Sequence, residues 1–362
     1  MPHPTPTLLL DEQRCRANIA KMAAKAAEHR LIFRPHFKTH QSLALGRWFK
    51  AAGVSRITVS SLTMAEYFTG EWQDITVAFP VNILEIATIN RLAARITLNL
   101  LVESPETAGF LAQHLDHPVG LFIKIDVGYH RTGVGGEDTA TLDAILEVAE
   151  KSAKLRFQGF LTHAGHTYQA GSPEEILAIH SQASLLLSRL KERYRQRFPG
   201  LLVSVGDTPG CSLDSDFTGI DEIRPGNFVF YDLMQHRLGA CAAGEIAVAL
   251  SCPVVAVHPE RGEAVLYGGA IHLSKERVHH PDFGPIYGQV ARTTAGGWGE
   301  LVPGMYLKSL SQEHGVVAVP PEELADIRVG QCLLVIPIHS CLTVNLMRCY
   351  TGLTSGETFA TL

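Results

Sequence analysis

A lysine among other cationic side chains stands near the start of the chain, in the stretch RPHFKTH (34–40). The stretch follows the apolar run LIF and precedes a helix-like segment, which predicts the end of a strand. Because side chains alternate along a strand, Arg34, His36, Lys38 and His40 are expected to share one face. A lysine desolvated near other cations has a lowered pKa and becomes a nucleophile toward carbonyl groups. The plainer alternative is a solvated lysine in a loop.

Other polar residues follow later predicted strands. They are Asp126 and Arg131, then His163, His166 and Tyr168, then Asp207 and Thr208, and finally Gly226 and Asn227. Glycine beside Thr or Asn lets backbone N–H groups approach a phosphate, because no Cβ blocks the approach. A lysine, an arginine and a phosphate cradle together indicate a pyridoxal phosphate site. The alternatives are a metal pair at His163 and His166, and an ordinary turn at Thr208.

A histidine and a cysteine two positions apart form a second candidate site, His339-Ser340-Cys341. On a strand, residues two apart face the same way. An imidazole and a thiolate side by side suit zinc, and two protein ligands leave coordination positions open, as a catalytic zinc requires. The alternative is a pair of core residues in the apolar strand that LLVIPI predicts, since cysteine is often buried.

The elements that position these residues alternate along most of the chain. Short β-branched runs are followed by amphipathic helix-like segments, which is typical of βαβ units and a parallel sheet. The predicted strands cover residues 31–36, 56–61, 74–79, 95–102, 119–126, 155–163, 201–206 and 221–230. Eight such units predict a (β/α)₈ TIM-like barrel, in which chemistry sits at the carboxyl ends of the strands. A doubly wound open sheet competes, although no GxGxxG motif follows the first strand.

The alternation stops near residue 240, and the segments that follow are β-rich and divided by Gly and Pro clusters. They predict a C-terminal all-β domain, with RTTAGGWGELVPG (292–304) as a loop and the N-terminal TPTLLL as an added strand. We therefore expect a cofactor-binding barrel domain over residues 14–240. A β domain over residues 241–362, together with residues 1–13, is expected to carry the metal ligands.

Composition narrows the class of protein. The chain has 362 residues and a net charge of -5, with an isoelectric point near 6.4, so nothing favours a nucleic acid or an anionic membrane as partner. Its seven cysteines lack CxxC pairs, and the N-terminus lacks the pattern of a signal peptide. The apolar runs are too short to span a bilayer. A cytoplasmic protein that acts on a small molecule is expected.

Eight motifs run along nearly the whole chain in the order of a known family. They are TPTLLLD (5–11), RPHFKTH (34–40), DVGYHRTGV (126–134), GFLTHAGHTY (159–168), GDTP (206–209), RPGNFVFYD (224–232), SQEHG (311–315) and HSCLTVNL (339–346). Through them the sequence resembles the fold-type III pyridoxal phosphate enzymes with an alanine-racemase-like barrel. Within these it is similar to the D-serine dehydratase and D-threonine aldolase branch. The resemblance implies a barrel, then a β domain, in a homodimer.

The resemblance also implies roles for single residues. Lys38 matches the Schiff-base lysine, and Arg131 the arginine that approaches the cofactor's phenolic oxygen. His163 matches the histidine along the pyridine ring, and Tyr168 the tyrosine near the ring or the substrate. The phosphate site is matched by Thr208, Gly226 and Asn227.

The same resemblance places a metal pair at His339 and Cys341. In this branch His-x-Cys looks like the mark of the dehydratases and His-x-Asp that of the aldolases, so Cys341 indicates a dehydratase. The implied reaction eliminates the β-hydroxyl of a D-amino acid, with pyridoxal phosphate and Zn²⁺ or another divalent metal, and gives a 2-oxo acid and ammonia. Retro-aldol cleavage to glycine and an aldehyde uses the same metal–hydroxyl contact and stays open.

Three further functions compete with the dehydratase. An amino-acid racemase needs a second base, and Tyr267 and Tyr287 do not sit in the family motif for one. A non-catalytic carrier of pyridoxal phosphate would lack the β domain. An enzyme for 3-hydroxyaspartate or a bulkier substrate is not excluded by any residue. Glu313 and His314 in SQEHG are expected near the active site, without an assigned role.

Overall fold

The computed structural model describes residues 3–362, which form two compact units. The barrel unit contains Lys21–Lys38 and Gly46–Gly226. The β unit contains Thr39–Leu45, Asn227–Leu362 and the described residues up to Ala20. No helix in the described chain is both long enough and apolar enough to cross a bilayer.

The elements follow one another along the chain as strands and short to medium helices. The first ten strands are β1 Thr7–Leu10, β2 Ile32–Phe33, β3 Ile57–Val59, β4 Asp74–Pro80, β5 Thr97–Val102, β6 Val119–Asp126, β7 Val134–Gly135, β8 Leu155–Leu161, β9 Leu202–Val205 and β10 Glu222–Ile223. The other ten are β11 Val248–His258, β12 Glu263–Tyr267, β13 Val278–His280, β14 Gly284–Ile286, β15 Gly288–Thr294, β16 Gly297–Leu310, β17 His314–Ala318, β18 Cys332–Pro337, β19 Cys349–Gly352 and β20 Thr358–Ala360. The helices are α1 Glu12–Glu28, α2 Leu43–Ala51, α3 Leu62–Phe68, α4 Ile86–Ala93, α5 Pro105–His114, α6 Thr139–Lys151, α7 Pro173–Tyr194, α8 Thr208–Leu213, α9 Leu233–Arg237, α10 Ala270–Leu273, α11 Pro321–Leu324 and α12 Ser340–Met347.

The barrel unit holds eight parallel strands in the order β2-β10-β9-β8-β6-β5-β4-β3. A parallel bridge between His36 and Thr58 joins the two ends of this order, so the sheet returns on itself. Each predicted strand overlaps one of these eight, which confirms the (β/α)₈ TIM-like barrel. Gly159, with φ +146, lies where β8 bulges, and a Cβ there would lie 1.9 Å from the carbonyl oxygen of Leu202. Only glycine permits this close approach.

The first strand is shorter than predicted, and the expectation that Arg34, His36, Lys38 and His40 share one face is wrong. β2 ends at Phe33, before the Arg34-Pro35 pair, because proline fixes its own backbone and restricts the residue before it. Arg34 turns into the interior, where its guanidinium is 2.6 Å from Glu222 and 2.5 Å from Asp74. His40 is also fully buried, whereas Lys38 is exposed.

The Arg34–Glu222 ion pair predicts a stability effect. Arg34 is 3% exposed and Glu222 0%, so Arg34→Met leaves a buried carboxylate without its cation. We expect the free energy of unfolding to fall by about 3–5 kcal/mol, measured by urea denaturation. Arg47→Met is the control, because Arg47 is 65% exposed in its pair with Glu71 and should lose less than about 1 kcal/mol. Equal losses in the two variants would contradict the prediction.

The β unit is built on a nine-stranded sheet in the order β12-β17-β16-β15-β18-β11-β1-β19-β20, and β11 also pairs with β12. That extra pairing closes six of the strands into a barrel, which confirms the predicted β domain. The N-terminal strand joins it as predicted: β1 is antiparallel to β11, with Thr7 opposite Ser251.

The predicted loop over residues 292–304 is wrong. This stretch forms the β15–β16 hairpin, in which Thr294 pairs with Gly297. Gly297 has φ +133, a conformation that glycine adopts without strain. Trp298 and Val302 are buried on the returning strand. The glycines that suggested a loop therefore mark a tight turn between two strands.

Candidate functional site

Lys38 follows the bridge that closes the barrel, in a turn beginning at Phe37. The backbone N–H of Phe37 donates to the Thr58 carbonyl oxygen at 2.8 Å. The Phe37 ring is packed by three buried aromatic rings, those of Phe49, Phe68 and Trp72, with centroids 4.9–5.1 Å away. This packing anchors the backbone before Lys38. The Lys38 side chain is exposed, so the protein chain alone does not desolvate it, contrary to expectation.

His163 follows β8 and carries a neutral imidazole. Its Nδ1 donates to the carbonyl oxygen of Gly206. Burial lowers the pKa of His163 to about 3, and the charges of Lys38, Arg131 and Lys124 add to this effect. The charges of Lys38 and Arg131 thus reach His163, so the structure brings these three candidate residues near one another. A neutral ring among cations can lie along an aromatic ligand without adding charge.

Tyr168 links His163 to Thr208. Its ring centroid is 6.1 Å from that of His163, and its Oη accepts a hydrogen bond of 3.3 Å from the backbone N–H of Thr208. Thr208 begins α8 and is fully buried. Its Oγ1 has no hydrogen-bond partner among residues 3–362. Because buried polar groups are normally paired, this hydroxyl fits an oxygen of a bound phosphate.

The loop after β6 holds Arg131. Asp126 fixes the loop by accepting from the backbone N–H of His130 at 3.0 Å and from its Nδ1 at 2.8 Å. Gly133 has φ +116, and a Cβ there would lie 2.5 Å from the Asp126 backbone nitrogen, so the loop needs glycine. The Arg131 guanidinium lies 5.1 Å from the Tyr129 ring centroid. This cation–π contact orients Arg131.

Gly226 and Asn227 lie after β10, which ends at Ile223, and Asn227–Val229 form a 3₁₀ turn. The prediction of a strand through residue 230 is wrong. The Asn227 Nδ2 donates to Asp232 Oδ2 at 2.6 Å and to Ser340 Oγ at 3.0 Å. Since these bonds occupy the Nδ2 group and Oδ1 is itself an acceptor, a phosphate at this point would meet backbone N–H groups, as the neighbouring glycine permits.

His339 and Cys341 do not lie on a strand, so that prediction is wrong. β18 ends at Pro337, α12 starts at Ser340, and His339 is its N-cap. Pro337 has no N–H with which to continue the strand ladder. The Ser340 N–H instead donates to Asp232 Oδ2 at 2.9 Å. The pair thus sits where a strand turns into a helix.

The Cys341 thiol has two polar neighbours within the β unit. Its Sγ lies 3.3 Å from Thr39 Oγ1 and 3.6 Å from Asn227 Nδ2. Cys341 is buried and His339 half-buried, and their imidazole and thiol are ligands that zinc prefers. Residues 3–362 contain no group of three or more His, Cys, Asp or Glu that could hold a metal. A metal on this pair would keep positions open for water or substrate.

Two buried cations inside the barrel are absent from the residues that the sequence predicts for the site. Burial lowers the pKa of Lys124 to about 8, with the charges of Arg224 and Arg131 adding to it. Arg224 is also buried, and its Nε donates to Ser204 Oγ at 2.7 Å. Each adds a positive charge to the barrel interior, which favours an anionic ligand near it. The available signal for Lys124 was a charged residue inside the apolar run GLFIKI.

Two family models match the chain. The alanine racemase N-terminal domain matches residues 10–233, and the putative serine dehydratase domain matches residues 247–353. The D-threo-3-hydroxyaspartate dehydratase of Delftia sp. is 32% identical over 99% of this chain and 96% of its own length. The D-serine dehydratase of Dictyostelium discoideum is 30% identical over 96% of this chain and 92% of its own.

Solved structures of the Delftia enzyme share the fold of this chain. One matches with a TM-score of 0.91 and 31% identity, covering 99% of this chain and 98% of that one. Structures of two variants of the same enzyme, a cysteine-to-alanine mutant in a metal-free form and a histidine-to-alanine mutant, each match this chain with a TM-score of 0.91.

Proposed function

Since this chain belongs to the D-serine dehydratase family with an alanine-racemase-like barrel, we propose that it is a pyridoxal phosphate- and zinc-dependent lyase. Its proposed substrate is a D-β-hydroxy amino acid, and its proposed products are a 2-oxo acid and ammonia. Two relatives at least 30% identical, a D-threo-3-hydroxyaspartate dehydratase and a D-serine dehydratase, support this reaction.

The observation that carries the proposal is the contact between Thr39 and Cys341. Thr39 Oγ1 is 3.3 Å from Cys341 Sγ, and Lys38 is the residue just before Thr39 in the chain. The proposed cofactor lysine is thus covalently joined to a residue that contacts the proposed metal thiol. In a β-hydroxy amino acid the hydroxyl oxygen lies two bonds from Cα, so the proposed reaction requires its base and its metal to act close together.

The proposed cofactor residues have the chemistry that pyridoxal phosphate needs. Lys38 would hold the cofactor aldehyde, neutral His163 would lie along the ring, and Arg131 would face the phenolic oxygen. Tyr168 would line the ring or the substrate. The phosphate residues are Thr208, Gly226 and Asn227. When bound, the cofactor supplies an electron sink for the pair released at Cα.

The protein's own contribution to the reaction is to move a proton and hold the reactants in place. Lys38 Nζ is the proposed base for the Cα proton: it would become a free amine, close to Cα, once the substrate amine has replaced it on the cofactor aldehyde. The positive charges of Arg131 and Lys124, which act on His163, favour the anionic carboxylate and phosphate groups. Burial lowers the pKa of His163 to about 3, so its imidazole is too weak a base to compete for the transferred proton.

His339 and Cys341 are the proposed metal ligands. The metal would act as a Lewis acid that makes the β-hydroxyl a better leaving group. In the Delftia enzyme, the mutated histidine and cysteine also lie two positions apart, and the structure of the cysteine mutant is of a metal-free form. This spacing matches that of His339 and Cys341 and supports the assignment.

The proposed function is tested by incubating the purified chain with pyridoxal phosphate, zinc and a substrate panel. D-Serine, D-threo-3-hydroxyaspartate and L-serine would be compared for release of ammonia and 2-oxo acid. We expect both products from at least one D-substrate and none from L-serine. Equal turnover of D- and L-serine, or no 2-oxo acid from any D-substrate, would overturn the proposal.

Substitution of Asp232 is expected to weaken metal binding. Its Oδ2 accepts from Asn227 Nδ2 and from the backbone N–H of Ser340, between the two proposed ligands. In Asp232→Asn an amide replaces the carboxylate that accepts these two hydrogen bonds. The segment that carries His339 and Cys341 should then be held less well, and zinc affinity should fall about 10–100-fold. The measurement is competition with a chromogenic chelator. Asp216→Asn, at an exposed position, is the control, and an unchanged affinity in Asp232→Asn would count against this role.

The assembly and the compartment stay predictions. A homodimer, as the family resemblance implies, can be tested by sedimentation of the purified chain. The seven cysteines are all free thiols, which is consistent with the expected cytoplasmic, reducing environment.

A further inference from the structure

A buried histidine lies behind the proposed phosphate residue Thr208. His180 is on α7 and is 1% exposed. Its Nδ1 is 2.6 Å from Asp214 Oδ2, so Nδ1 carries a proton and donates it to this carboxylate. Its Nε2 has no hydrogen-bond partner in the described chain. No step of the proposed reaction uses this residue.

A second carboxylate, Asp207, precedes Thr208 directly. Asp207 is 3% exposed, and its Oδ2 accepts from the Gly210 N–H at 2.7 Å and from Thr167 Oγ1 at 3.1 Å. Its Oδ1 is buried and unpaired within residues 3–362. A buried carboxylate beside the hydroxyl that would hold a phosphate dianion repels that phosphate unless a cation offsets it.

Gly210 shows that His180 and Asp207 are packed closely. A Cβ at Gly210 would lie 2.7 Å from His180 Cδ2 and 2.7 Å from Asp207 Oδ2. The imidazole and the carboxylate therefore both pack against the same glycine. His180 lies in contact with Asp214 and near Asp207, so one imidazole lies beside two carboxylates.

We propose that His180 is a positioning residue for the cofactor phosphate: it carries a positive charge that offsets Asp207 beside Thr208 and holds the 207–214 segment in place. This role rests on the proposed function, because it needs a phosphate at Thr208. His180 touches neither substrate nor cofactor in this role and acts through Asp207.

The electrostatics of the two groups agree with this role. Burial alone lowers the pKa of His180, but the hydrogen bond to Asp214 and the charges of Asp207 and Asp214 raise it above its usual value. Lys25 opposes them; its Nζ is held by the carbonyl oxygens of Cys211 and Ser212 at 2.9 and 2.8 Å. The pKa of Asp207 is raised overall by burial, and the charge of His180 is the largest effect that opposes this rise.

The test compares two ligands that differ only in the phosphate. The full-length chain, freed of cofactor, would be titrated with pyridoxal phosphate and with pyridoxal, and binding followed by absorbance. His180→Gln removes the charge. We expect it to weaken pyridoxal phosphate about 10-fold or more, from the loss of one nearby buried charge, and to leave pyridoxal within about twofold. Equal weakening of both ligands, or of neither, would overturn the proposal.

Two further variants separate charge from structure. Asp207→Asn keeps a capping side chain but removes the negative charge, so His180→Gln/Asp207→Asn should regain most of the affinity for pyridoxal phosphate. If His180→Gln does not fold, Asp207→Asn alone tests the proposal. This variant should bind pyridoxal phosphate at least as tightly as wild type. Weaker binding of pyridoxal phosphate with unchanged binding of pyridoxal would overturn the proposal. His114→Gln, at an exposed position, is the control.

Failure of this inference differs from failure of the proposed function. A wild-type chain that binds pyridoxal phosphate no more tightly than pyridoxal has no phosphate site, and both proposals fall. A wild-type chain that strongly prefers pyridoxal phosphate, with a His180→Gln variant that keeps the preference, overturns only the role of His180.

Discussion

Lys38→Ala is expected to lose the covalent attachment of pyridoxal phosphate and to lower lyase turnover roughly 10³-fold or more. The amine is proposed both to hold the cofactor and to take the Cα proton, and a positioned base alone contributes about 10²–10⁴-fold. The measurement is steady-state turnover together with the mass of the chain after borohydride reduction, which fixes a cofactor bonded to lysine. The reduced wild type should gain the mass of one cofactor, and the variant should not.

Lys151→Ala is the matched control for this experiment. Lys151 is 78% exposed at the end of α6, so its loss should change neither turnover nor the reduced mass. Retained turnover in Lys38→Ala, or a cofactor fixed to another lysine such as Lys124, would refute the assignment of Lys38.

Cys341→Ala is expected to lose the metal and to lower elimination about 100-fold or more. A metal acting as Lewis acid is worth several kcal/mol, and each 1.36 kcal/mol is about tenfold in rate. Bound zinc would be counted by elemental analysis, and turnover measured before and after added zinc. A chelator should have the same effect on the wild type without releasing pyridoxal phosphate.

Exchange of the metal ligand tests the choice between the two lyase reactions. Cys341→Asp should lower elimination and raise any retro-aldol cleavage of D-threonine, since His-x-Asp is the pattern associated with the aldolases. Cys349→Ala is the control, because this cysteine is exposed. If chelators do not affect the wild type, a metal takes no part in the reaction. An unchanged product ratio in Cys341→Asp would remove Cys341 as the discriminating residue.

Much of the fold could be predicted because the apolar periodicity is local. Each of the eight barrel strands contains a β-branched or apolar run that faces a helix-like segment. The errors occurred where a tertiary interaction or a single proline ends an element. Pro35 and Pro337 each interrupt an apolar run that periodicity alone extends. The Ser340 N–H that starts α12 is satisfied by Asp232, which is 108 positions away in sequence.

The candidate site was predictable to a similar extent. Residues at strand ends, such as Arg131 and His163, could be identified because a parallel barrel gathers those ends. Their partners could not, since Lys124, Asp232 and His180 act through contacts between residues distant in sequence. The exposure of Lys38 and the neutrality of His163 are likewise properties of the folded surroundings.

The central claim, elimination from a D-β-hydroxy amino acid, is tested most directly by the products formed from D-threonine with pyridoxal phosphate and zinc. We expect 2-oxobutanoate and ammonia in equal amounts. Glycine and acetaldehyde would contradict it and make the chain an aldolase, while the proposed cofactor and metal residues would still apply.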